Sequence, residues 1–306
     1  MLPESFSELR RLVEEGIEKH KLAASRDAVL QAAQPCILLY DERGPMTLGD
    51  VFEKMRELDP TIPAEPFQDL SQEYEGHLMK TLALGASRIG GLPDLPPSVP
   101  WPEQGGKLIP LVAQLDLSAI PTFEGSPLPS EGWLYVFAGG PDFPLAVTGL
   151  IHTGSREALV RHERPADDRA LADWSGETVY SLVPLGEGRL GVSLFPGDDH
   201  PIWGELSGDD FNRLFALAAS LSPRDTNDDR GRMAGQLLGY LNFPEGSAND
   251  PARIGGMEGD DWMLLLEVES VGSMVWSDCG TLDVFVRRSD LQNRDLSTLY
   301  AGIYSS

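Results

Sequence analysis

Leu111-Val112-Ala113-Gln114-Leu115-Asp116, followed after a loop by Gly132-Trp133-Leu134-Tyr135-Val136-Phe137, decides the reading of this 306-residue chain. Both runs are short and apolar, and the second carries bulky residues that suit a pleated surface. A matching pair lies further on, as Leu264-Leu265-Leu266-Glu267-Val268-Glu269 and Gly280-Thr281-Leu282-Asp283-Val284-Phe285. Each pair reads strand, loop, glycine, strand. Upstream, Arg88-Ile89-Gly90-Gly91-Leu92-Pro93 is set against Gly239-Tyr240-Leu241-Asn242-Phe243-Pro244. Two readings of the echo stand: an internal duplication, or the ordinary likeness of any two hairpins. The first predicts an α+β fold of internally duplicated, mainly antiparallel mixed β-sheets with peripheral helices.

The strands of these pairs are expected at 108–117, 133–138, 262–269 and 281–286 and, working outward, the others at 36–40, 145–152, 178–184 and 190–195. Helices are expected over 5–25, with Ser5 and Glu8 as a capping box, and over 47–58, capped by Thr47. Further helices are expected at about 68–83, over 209–221 and, briefly, after Ser289. In the 209–221 helix, Phe211, Leu214, Phe215, Ala218 and Leu221 fall on one face and are expected to be buried. Gly and Pro crowd residues 87–129, where rigid turns are anticipated. The domain reading is an N-terminal helical extension (1–84) and an α+β domain (85–306), with pseudo-duplicated halves of about 85–205 and 206–306.

Asp plus Glu number 48 against 24 Lys plus Arg, a formal net charge of -24. A field of that sign repels nucleic-acid phosphates and anionic lipid and attracts basic partners. It serves solubility or a surface for a basic protein, and it argues against nucleic acid and membrane. The two cysteines, Cys36 and Cys279, have no paired spacing and build no disulfide framework. Met1-Leu2-Pro3-Glu4-Ser5 runs into a charged amphipathic segment without the apolar core of a signal peptide, and no stretch approaches the roughly 18 apolar residues of a membrane span. A cytoplasmic protein is expected.

Arg88-x-Gly90-Gly91-x-Pro93-x-Leu95-Pro96, then Trp101-Pro102, then Leu108-x-Pro110-Leu111-x-Ala113-Gln114-Leu115-Asp116-Leu117 resembles the YwqG-like family, a bacterial family defined as a domain of unknown function. Later signatures follow in order: Leu238-Gly239-Tyr240 with Pro244, and Trp276-x-Asp278-x-Gly280. The likeness covers roughly residues 85–290. The chain departs from the pattern at Glu267, where the family usually has Gln, and at Ser277, where it has Gly. The resemblance implies an α+β fold with duplicated sheets and no established activity. Some relatives sit beside polymorphic-toxin genes, which implies a role in toxin immunity.

Gly90 and Gly91 permit backbone torsions closed to other residues, and the prolines from Pro93 to Pro102 stiffen the loop that follows. That loop either covers a sheet end or lines a cleft in which Arg88, Trp101 and Gln114 make contacts. The candidate ligand or partner residues are Arg88, Gly90, Gly91, Trp101, Gln114, Asp116, Trp276 and Asp278. No catalytic residue, cofactor or metal ligand is assigned. The five histidines lack ligand spacing, and no nucleophile elbow or phosphate-binding loop is present. With 48 acidic residues, chance carboxylate pairs single out no acid–base couple. The expectation leans away from an enzyme. It favours a non-catalytic acidic binding protein that engages a basic protein, of toxin-immunity type. The alternative is a small-ligand or carbohydrate-binding protein or hydrolase with a cleft near the 88–101 loop.

Overall fold

The computed structural model describes residues 5–42, 81–140, 145–173, 176–196, 200–222, 232–241, 262–272, 274–277 and 280–304. The helices expected over 47–58 and most of 68–83 lie outside these residues, as do Asp278 and Cys279.

Among the described residues the fold is α+β. The helices are α1 (Phe6–Lys19), α2 (Arg26–Ala32), α3 (Ile202–Glu205), α4 (Gly208–Leu221) and α5 (Arg288–Gln292). One sheet runs β10 (Val183–Pro184), β2 (Arg88–Ile89), β6 (Leu111–Asp116), β7 (Trp133–Gly139) and β8 (Ala146–His152). The other runs β11 (Arg189–Ser193), β1 (Gln34–Tyr40), β12 (Met233–Leu237), β13 (Trp262–Glu269), β14 (Thr281–Arg287) and β15 (Leu299–Tyr304). Two small ribbons pair β3 (Asp94–Leu95) with β9 (Val160–Arg161) and β4 (Glu103–Gln104) with β5 (Lys107–Leu108). Every pairing between these strands is antiparallel.

Alternation along β7 explains the layering. Leu134, Val136 and Ala138 enter a central core shared with Ile37, Leu237, Leu266, Leu282 and Val284 of the larger sheet. Trp133, Tyr135 and Phe137 point the other way, into a second core closed by Leu95, Trp101, Ile109 and Leu159. A strand buried on both faces needs apolar residues at every position, which is why β7 reads as an unbroken apolar run. The helices form a third core. Leu9, Val13 and Ile17 of α1 meet Leu214, Leu217 and Leu221 of α4 over Val192 and Leu194. At Gly16 an added Cβ would lie 2.3 Å from Leu217 Cδ1, so glycine there sets how closely the two helices approach.

Several expectations are corrected. The helix read over 5–25 ends at Lys19, and α2 starts afresh at Arg26 after Lys21 takes a left-handed φ of 58°. Ser5 does cap α1, accepting from the Glu8 amide at 3.3 Å. The segment before residue 85 is not only a helical extension: β1 is an interior strand between β11 and β12. Its apolar run Cys36–Tyr40 is covered on both faces, with Ile37 and Leu39 in the central core and Cys36, Leu38 and Tyr40 packed with Met233 on the other side. Through β1, β11 joins the sheet built mainly from residues after 206, so the two sheets do not divide at about 205. The strand expected over 178–184 shortens to β10, and β15 was not foreseen. In α4 the buried stripe is Leu214, Leu217 and Leu221, while Phe211 and Phe215 are exposed.

The two sheets share a local plan. Leu111 faces Phe137 and Ala113 faces Val136, with a register shift at Val112. Leu264 faces Phe285 and Leu266 faces Val284, with the same shift at Leu265. Arg88 stands opposite Gln114, and Gln236 stands opposite Glu267. Gly90 and Gly91 take φ of 66° and 71°, and Leu238 and Gly239 take 61° and 76°. The structural counterpart of the Arg88 turn is thus Gln236-Leu237-Leu238-Gly239, three residues earlier than the sequence comparison placed it.

Candidate functional site

The Arg88 turn starts on β2, a two-residue strand held between β6 and β10. After Ile89 the chain must leave the ladder at once. Gly90 does so with a left-handed φ, and its Cβ position lies 2.2 Å from the Ser181 carbonyl oxygen, so only glycine fits. The chain then returns as β3, which brings Asp94 beneath the Arg88 guanidinium.

Arg88, Asp94 and Gln114 are each wholly buried. Arg88 donates from Nη1 to Asp94 Oδ2 at 3.1 Å and to the Ala86 carbonyl at 3.1 Å. From Nη2 it donates to Gln114 Oε1 at 3.0 Å and to the Leu92 carbonyl. Gln114 Oε1 also accepts from the Asp94 amide at 2.8 Å, and its Nε2 donates to Ala86 O at 3.1 Å. Arg161 enters from β9, donating to Asp94 Oδ1 through Nε at 2.8 Å and to Oδ2 through Nη2 at 3.0 Å. The Gly85 amide donates to Oδ2 at 2.8 Å, and the Tyr135 hydroxyl to the Asp94 carbonyl at 2.6 Å.

The electrostatics follow from this crowding. Burial works against the charged Asp94, but the Arg161 hydrogen bonds, the Arg88 charge and the Gly85 amide outweigh it and hold the carboxyl at about 2. Burial lowers Arg88 from its usual range, with Asp94 opposing. Burial, with Asp94 close by, pushes the Tyr135 hydroxyl up. His162, edge-on to Trp101 at 5.5 Å, is lowered by burial.

The other expected residues are dispersed. Trp101 is buried and donates its Nε1 hydrogen to Ile109 O at 2.7 Å, so the proline-rich loop lies across the outer face of the sheet as a cover. Asp116 is also buried; it accepts from the Ser118 amide and hydroxyl at 3.0 and 2.6 Å and pairs with Arg156, which lies over the Trp133 ring at 5.8 Å. Trp276 is buried in the central core with Ile89, edge-on to Tyr180 at 5.6 Å. The structure therefore brings Arg88, Gly90, Gly91 and Gln114 together, and Trp276 reaches that turn through Tyr180, whose carbonyl accepts from the Gly91 amide at 2.9 Å.

Sequence reading missed Asp94, Arg161 and Tyr135. Asp94 had a signal: it is the sole acid between Ile89 and Trp101, six residues from the lone cation Arg88. A buried charge needs a partner, and that spacing supplied one. Arg161, 67 residues from Asp94, had none.

In the larger sheet the matching positions hold Gln236, Glu267 and Asp283, all buried. Gln236 Nε2 donates to the carbonyls of Leu238 and Tyr240, as Arg88 Nη2 does to that of Leu92. The polar pattern is preserved while the guanidinium is not.

A family model described as a domain of unknown function, DUF1963, matches residues 87–303, and the chain belongs to that family. No curated protein matches it.

Proposed function

We propose that this DUF1963 protein is a non-catalytic binding protein whose acidic surface engages a basic protein partner, in the manner of a toxin-immunity protein. The observation that carries the reading is the charge of -24 on 306 residues. Such a field speeds encounter with a cationic protein and disfavours acidic competitors. The reading is supported by how the Arg88 block spends its polar groups. Arg88, Asp94, Gln114 and Trp101 bond to one another and to backbone inside the molecule, which suits a scaffold better than a substrate cleft. The alternative of a small-ligand site or hydrolase near the 88–101 loop finds less support for the same reason.

The YwqG-like resemblance of residues 85–290 is read as the finer family assignment, and the matched registers of the two sheets support an origin by duplication. Among the described residues no helix is long and apolar enough to cross a membrane. A cytoplasmic location is part of the proposal.

The test is capture from host lysate on the immobilised protein at low salt, elution with high salt, and titration of the purified pair across ionic strength. One basic protein whose affinity falls steadily with salt is expected. An empty eluate, or affinity indifferent to salt, overturns the reading.

A further inference from the structure

Four aromatic rings meet between the end of β11 and α4. Phe195 and Trp203 lie nearly parallel, with centroids 6.3 Å apart and planes 8° apart. Phe211 and Phe215 close on Phe195 at 6.2 and 5.9 Å, tilted by 51° and 45°, and Phe211 is also 6.2 Å from Trp203. Phe195 is 7% exposed and forms the floor, while Phe211 and Phe215 are 44% and 53% exposed. These two stand one helical turn apart on α4, whose core stripe is already complete in Leu214, Leu217 and Leu221. The exposed pair is therefore additional to the helix's packing requirement.

The surrounding chain is acidic. From Trp203 to Phe215 it carries Glu205, Asp209 and Asp210 against the single cation Arg213. Asp210 is engaged by Arg213 at 2.8 Å, while Glu205 and Asp209 form no ion pair among the described residues. Ring faces present negative potential, and beside carboxylates they favour a cation, most of all a planar guanidinium that stacks. A second copy of the chain is a poor occupant, because it would bring a charge of -24 against another of -24.

We infer that the Phe195–Trp203–Phe211–Phe215 cluster is the docking point for an arginine-bearing segment of the basic partner. The inference rests on the proposed function and names the surface through which it works. The rings supply short-range recognition of the guanidinium and its apolar stem, and the carboxylates supply attraction at longer range.

The test is titration of a labelled, short arginine-rich peptide by fluorescence anisotropy, with wild type and the F211A/F215A variant at several salt concentrations. The double substitution leaves net charge unchanged, so generic attraction to an acidic protein is held constant. Both residues are exposed, and an unaltered thermal midpoint verifies the fold. Weakening by about tenfold or more with the salt slope retained is expected if stacking on the rings anchors the peptide. Equal binding by wild type and variant overturns the docking site and leaves the basic-partner reading standing. No binding by wild type at low salt overturns both. Sedimentation of the free proteins adds one further outcome: a wild-type dimer dispersed by F211A/F215A assigns the rings to self-association and overturns the inference.

Discussion

Arg88 donates to the Asp94 carboxylate across 3.1 Å, and neither side chain reaches water. The pair is the centre of a network in which β2, β3, β6 and β9 are tied by side chains as well as by ladders. Burying a cation and an anion is costly, and the arrangement is held by the hydrogen bonds that surround the pair.

Arg88→Met should destabilise the fold by about 3–5 kcal/mol, because it strips donors from Asp94, Gln114 Oε1 and the Leu92 carbonyl at once. Urea unfolding measures this. Combined with Asp94→Asn, the loss should be clearly less than the sum of the two single losses, since the residues share one network. Full additivity would mean that the pair is not coupled.

The pH dependence has a defined sign. Asp94 is held at about 2, below its ordinary 3.8, so the folded state binds its proton less readily than the unfolded state. Its contribution, about 2 kcal/mol from the size of the shift, is present above pH 3.8 and is lost as pH falls through about 2. The stability gap between wild type and Asp94→Asn should therefore narrow across that window. A gap constant with pH would show that the carboxylate is not held ionised by its partners.

Gly90→Ala and Gly125→Ala separate strain from crowding. Both positions are left-handed, at φ of 66° and 80°. At Gly125 nothing lies within 4 Å of the added Cβ, so the cost should be the torsional one, about 1–2 kcal/mol. At Gly90 the Cβ meets the Ser181 carbonyl at 2.2 Å, and the thermal midpoint should fall considerably further.

Leu214→Ala should cost about 2–5 kcal/mol, as for other wholly buried leucines. Phe211→Ala, at a residue 44% exposed, should cost far less. Equal losses in chemical denaturation would restore the helix face that the sequence pattern had favoured.

That helix shows why the pattern misled. Residues 214–219 are Leu-Phe-Ala-Leu-Ala-Ala, apolar nearly all round, so a 3.6-residue period runs through Phe211 and Phe215 or through Leu217 with similar ease. The choice was made by β11 and by the close approach of Gly16 to Leu217, neither of which is local to the helix. The strands were more legible: β13 spans the residues expected for it, and β7 exceeds its expected range by one. Their apolar runs are too short for core helices and are bounded by turn residues.

The candidate site divides in the same way. The glycine turn, the proline-stiffened loop and the excess of acid are properties of consecutive residues and of composition, so torsional chemistry and charge counting were enough to find them. Whether Arg88 faced a ligand or a carboxylate, whether Trp101 lined a cleft or sealed a core, and which face of α4 met solvent depended on segments tens of residues away. Burial and charge pairing are properties of neighbours in space, and only the folded chain decides who those neighbours are.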